Sequence, residues 1–122
     1  MSERLTTDEL ILLIGERAFV ALAEAFGGRR LYVPGVIEGD HDIARAIGPD
    51  AARHLSERIA PDVIRVPLAR DLRARHYRAA GLSNGAIATR LGITEPAVNK
   101  LFARMTDVPV KGSAQLALFP EN

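Results

Sequence analysis

Residues 84–101, NGAIATRLGITEPAVNKL, constrain the chain more than any other stretch, because they specify two short helices meeting at a tight turn. Ser83 is a good N-cap for a helix from Asn84 to about Leu91. Gly92 supplies the turn. Thr94 caps a second helix, with Pro96 in its first turn, where a missing N–H costs little. Ile87 and Leu91 lie one helical turn apart, as do Val98 and Leu101. Ala88 is small where the two helices cross. The pattern is that of a helix-turn-helix, which points to DNA. The bland alternative is a helical hairpin that only packs, because many folds reuse this unit.

Charge supports the first reading. The chain of 122 residues carries a formal net charge of only +1, but the charge is unevenly placed. Residues 1–66 hold eight Lys+Arg against eleven Asp+Glu, a net of −3. Residues 67–122 hold eight against four, a net of +4. The basic half contains the helix-turn-helix, as phosphate neutralisation requires. A net of +4 is modest and implies weak binding by a single copy.

The absence of cysteine excludes a disulfide framework and a Cys-based zinc site. The opening MSERLTTDE places acids before the apolar run, unlike a signal peptide, and LILLI at 10–14 is far short of a membrane span. A cytoplasmic protein with no membrane partner is the default expectation.

Thr6 and Glu9 form a capping box for a helix expected over 7–26, ending at Gly27-Gly28. Between Leu10 and Phe26 only Gly15, Glu16, Arg17 and Glu24 are not hydrophobic. A helix apolar nearly all round needs cover on most sides. A second copy of the chain supplies it, through residues such as Leu13 and Val20; the alternative is a central helix within one monomer. Leu31-Tyr32-Val33 is a short strand signal ended by Pro34, with no second strong strand nearby, so its partner is expected in a second subunit. Short helices follow over about 41–47 and 49–59. Residues 62–66, DVIRV, lie between Pro61 and Pro67 and read as an extended linker. A helix over about 67–80 carries Arg70, Arg73, Arg75 and Arg78, with Leu68, Leu72 and Tyr77 on its apolar side.

The expected fold is therefore mainly α: a dimerisation domain over 1–61 with one short strand, a linker at 62–66, a tri-helical DNA-binding domain over 67–105, and a flexible tail over 106–122. No internal repeat is visible.

The segment ALAEAFGGRRLYVP and the segment RHYRAAGLSNGAIATRLGITEPAVNKL, starting at Arg75, resemble the Mor/C family of Mu-type phage middle-operon transcription activators. The resemblance covers roughly residues 5–105 and includes the order of elements. It implies an intertwined homodimer in which Leu31, Tyr32 and Val33 pair across the two-fold. It also implies that residues 84–104 read DNA and that the dimer recruits RNA polymerase. The chain differs from the family in a second helix short of positive charge, with Glu95 and Pro96 at its start.

The second helix of this motif enters the major groove with its N-terminal part toward base edges. The residues there not needed for packing are Thr94, Glu95, Asn99, Lys100, Ala103 and Arg104. Asn99 can bond adenine at two atoms, and Lys100 or Arg104 can reach guanine or phosphate. Glu95 is placed either to accept from cytosine or to favour the helix dipole. Ser83, Asn84 and Arg90 are candidates for phosphate contacts. Arg73, Arg75 and Arg78 are either further phosphate contacts or a solvated face.

Catalysis and cofactors are not expected. His41, His54 and His76 lie in separate segments, and no Ser or Thr stands beside an evident base. GDHD at 39–42 reads as a turn in which Asp40 or Asp42 caps the next helix, rather than as a metal loop. One signal lies in the tail. QLALF at 115–119 resembles the peptide by which bacterial proteins bind the replication sliding clamp, with Leu116, Leu118 and Phe119 for an apolar cleft and Gln115 at its rim. That gives a competing function, a DNA-associated adaptor; the alternatives are a tail packed on its own body, or chance.

Overall fold

The capping box at Thr6 forms as expected: Glu9 N–H donates to Thr6 Oγ1 at 3.1 Å and Thr6 N–H to Glu9 Oε1 at 2.8 Å. A computed structural model describes residues 5–105 and 108–112. Gln115, Leu116, Leu118 and Phe119 therefore lie outside the described residues. Among those described are seven helices: α1 (Thr7–Ile14), α2 (Glu16–Phe26), α3 (Asp42–Ile47), α4 (Pro49–Ile59), α5 (Arg70–Ala79), α6 (Asn84–Leu91) and α7 (Glu95–Arg104). Two strands, β1 (Arg30–Val33) and β2 (Asp62–Arg65), complete the list. None of these helices is long and apolar enough to cross a membrane.

The single helix expected over 7–26 is two helices. Gly15 adopts φ +88°, ψ 157°, a conformation open almost only to glycine. Its N–H closes α1 on Ile11 O at 2.7 Å, and its carbonyl receives Phe19 N–H at 2.9 Å to open α2. Gly48 does the same between α3 and α4 with φ +90°, ψ 158°. One glycine thus ends one helix and starts the next at both places. Breaking the apolar run lets α1 and α2 turn their apolar sides inward together with α3 and α4. Leu10, Phe19, Leu22, Ile43 and Leu55 are all fully buried. Each contributes roughly 1.5–3 kcal/mol of transfer free energy.

That packing corrects the argument that this helix requires a second copy for cover. Val20 is buried in its own chain at 4% exposure, and Leu13 is half-buried. The apolar residue left out is Leu12, 88% exposed.

The strand also finds its partner within the chain. β1 pairs antiparallel with β2, the segment read as a linker, in the register Arg30↔Arg65, Leu31↔Ile64, Tyr32↔Val63, Val33↔Asp62. The pairing extends beyond the strands: Val66 N–H donates to Arg29 O at 2.9 Å and Gly28 N–H to Val66 O at 2.7 Å. Alternation then buries Val33, Ile64 and Val66 and leaves Tyr32 57% exposed. Ser56 of α4 anchors the end of β1, its Oγ donating to Gly35 O at 2.7 Å. The division between compact units accordingly falls between Ala69 and Arg70, not within 62–66.

At 39–42 the cap is His41, not Asp40 or Asp42. Its Nδ1 accepts from Ile43 N–H at 3.0 Å.

The Gly15 conformation generates a test. Apart from its own chain neighbours, no atom lies within 4 Å of where a Cβ would be, so Gly15→Ala meets no tertiary clash and reports chiefly backbone strain. It should lower the unfolding free energy by about 1–3 kcal/mol in urea denaturation, against little change for Gly39→Ala.

Candidate nucleic-acid interface

The second unit is built from local signals that act as expected. Ser83 Oγ accepts from Ala86 N–H at 3.2 Å and opens α6; Thr94 Oγ1 accepts from Ala97 N–H at 3.2 Å and opens α7. Gly92 ends α6 in the left-handed region, φ 72°, ψ 33°, with its N–H on Ala88 O at 2.9 Å. Pro96 sits in the first turn of α7. Ile87, Ala88 and Leu91 of α6 and Val98 and Leu101 of α7 are buried. The apolar face of α7 is thereby turned inward. Thr94, Glu95, Asn99, Lys100, Ala103 and Arg104 remain exposed.

Those exposed residues fall on adjacent rows of one face: Glu95, Asn99 and Ala103 in one, Lys100 and Arg104 in the other. Lys100 makes no hydrogen bond or ion pair among the described residues. Arg104 lies 3.7 Å from Asp71 Oδ1 of α5, an exposed pair of little net worth that a phosphate can replace. Asn99 Oδ1 accepts from Asn84 Nδ2 at 2.6 Å, so two residues expected to act separately are joined. Asn84 Oδ1 is buried with no hydrogen-bond partner. Glu95 reaches back to α6, where its Oε2 would lie 2.6 Å from a Cβ placed on Gly85. The carboxylate therefore rests against the first turn of α6, where the helix dipole favours a negative charge. Ser83 and Arg90 are exposed on α6, as a phosphate-contacting role requires.

Arg73 departs from both sequence expectations. It is neither solvated nor presented to a ligand, but buried at 5% exposure. Its Nη2 donates to Arg90 O at 3.0 Å, and its Nε to Tyr77 Oη at 3.3 Å. A cation is thus set at the C-terminal end of α6, the end that favours positive charge. Arg90 stacks on the Tyr77 ring, 5.5 Å from its centroid. Arg78 is also engaged, with Nη1 on Leu82 O at 3.1 Å and its guanidinium 4.9 Å from the Phe102 ring centroid. Leu68, expected on the inner side of this unit, lies before its start and is 42% exposed.

Gly85 and the Arg73–Tyr77 pair are the residues that sequence reasoning missed. A glycine in the first turn of a helix, ten residues before an acid, carries no recognisable pattern. Arg73 and Tyr77 at i, i+4 did carry one, because an arginine one turn from an aromatic can bury its stem and keep a partner.

Comparison with protein-family models, with curated proteins and with solved structures finds no match for this chain.

Arg73→Met keeps the stem and removes the donors. It should lower the unfolding free energy by about 1.5–3 kcal/mol, because the Arg90 carbonyl loses a charge-assisted bond. Arg70→Met, at an exposed position of the same helix, should change it by less than about 0.5 kcal/mol. Parallel urea titrations of the two variants make the comparison.

Proposed function

We propose that the chain is a sequence-specific DNA-binding transcription regulator that acts as a homodimer. The observation that carries this reading is the face of α7. Val98 and Leu101 are buried beneath it while Asn99, Lys100, Ala103 and Arg104 are exposed along it. A helix whose outward residues beyond its first turn are an amide, two cations and a small residue suits a major groove, where amides and cations meet base edges and phosphates. The +4 net charge of residues 67–122 adds long-range attraction.

The resemblance to the Mor/C activators extends the reading to a phage middle-operon type of activator that recruits RNA polymerase. The homodimer is assigned to the first unit, where Leu12 is 88%, Val36 74% and Tyr32 57% exposed. The proposed interface differs from the expected one, because Val20 and Val33 are spent inside their own chain and β1 is already paired on one edge.

DNA selection from a random pool tests the reading: recovery of one recurring sequence is the expected result, and a pool that stays random contradicts it. Lys100→Ala should then weaken binding to all sequences and reduce the salt slope by about one unit. Asn99→Ala should cost about 1–3 kcal/mol at one base position and leave the others unchanged. Light scattering at micromolar concentration checks the homodimer; a monomer mass refutes it.

A further inference from the structure

We infer that Asn84 is a positioning residue that sets which bases Asn99 can read, and that the base so selected is adenine. This inference rests on the DNA-binding reading of α7.

A side-chain amide has an acceptor end and a donor end of nearly the same shape. An exposed asparagine can present either end, or turn between them. Asn99 cannot turn alone at no cost, because its Oδ1 accepts from Asn84 Nδ2 at 2.6 Å and the turn would set two amino groups against each other. The two amides exchange ends only together. The bond occupies one of the two lone pairs on Asn99 Oδ1 and leaves the second lone pair and both N–H groups available. A neighbouring acceptor and donor on one planar group match adenine, which offers N6–H as donor and N7 as acceptor in the major groove. Guanine offers O6 and N7, both acceptors, and sets one of them against the Asn99 oxygen.

The Oδ1 of Asn84 is buried without a hydrogen-bond partner among the described residues. Asn84 is not the helix cap, since Ser83 accepts the Ala86 N–H. The contact it does make is directed at a residue on the exposed face of α7, fifteen positions along the chain. Sequence reasoning put Asn84 on a phosphate; the geometry turns it toward the base-reading side chain instead.

The test uses the full-length protein and the DNA site it selects. The position at which Asn99→Ala loses preference is identified first, and the ratio of affinities for adenine over guanine there is the readout. Asn84→Ala should lower that ratio roughly tenfold, the scale of one base contact. Its affinity for random-sequence DNA and its melting temperature should match the unaltered protein. In Asn84→Ala with Asn99→Ala, the ratio should fall no further than in Asn99→Ala alone.

Asn84→Asp provides a second variant. Aspartate suits the first turn of a helix and has no donor, so it attracts the amino end of Asn99 and should also abolish the preference. An adenine preference that survives both changes overturns the inference. So does an equal loss of affinity on selected and random DNA, which would make Asn84 a phosphate contact. Both results leave the DNA-binding reading intact. A random pool that yields no sequence removes that reading, and the inference with it.

Discussion

The pairing of residues 28–33 with 62–66 is the constraint on which the first unit depends. Four residues of strand have no stability alone, and a two-stranded ribbon is marginal unless one face is buried. Here Val33, Ile64 and Val66 supply that face, and all three are fully buried. α3 and α4 lie in the excursion between the strands, and α4 packs against β1. Ser56 then ties α4 back to the end of β1 through Gly35 O at 2.7 Å. The ladder also moves the end of the unit to Ala69, so the prolines at 61 and 67 flank a strand within it.

The difference between the two units in legibility follows from the range of the interactions. In the second unit each signal acts over three or four residues: Ser83 on Ala86, Thr94 on Ala97, Gly92 on Ala88. Such bonds are written in consecutive residues, so both helices of the motif were readable to within a residue or so. The first unit depends on a ladder between residues 29 to 35 positions apart, and DVIRV between two prolines has no local mark of its partner. The apolar run at 10–26 misled for a related reason. A glycine in a helical pattern normally costs about 1 kcal/mol and is tolerated, but Gly15 is used for a backbone conformation that helix periodicity does not register.

The candidate site was legible by position and not by role. Asn99, Lys100 and Arg104 are exposed where the pattern of α7 places them. The partners of Asn99 and Arg104 were not readable, because each comes from another helix: Asn84 from α6 for Asn99, Asp71 from α5 for Arg104. Formal charge was the poorest guide. Arg73, Arg75 and Arg78 count alike in a sum, yet Arg73 is buried on the Arg90 carbonyl and Arg78 lies over the Phe102 ring. Arg73 thereby ties α5 to α6, and Arg78 ties α5 to α7.

That division of labour bears on affinity. Counterion release rewards each phosphate neutralised, with log K falling by about 0.9 per contact for each decade of salt. An arginine buried on a carbonyl, as Arg73 is, contributes field but no contact of its own. On the proposed reading this leaves Lys100 as a cation with no rival partner among the described residues, while Arg104 exchanges Asp71 for phosphate and Arg90 works from its seat on Tyr77. Few contacts per copy give weak binding at physiological salt. Joining two copies turns the second set of contacts into an intramolecular event and raises affinity without adding charge to either. On the proposed reading, the modest basic charge of the second unit and the exposed apolar residues of the acidic first unit serve one end: the second unit discriminates, and the first supplies affinity by joining two copies.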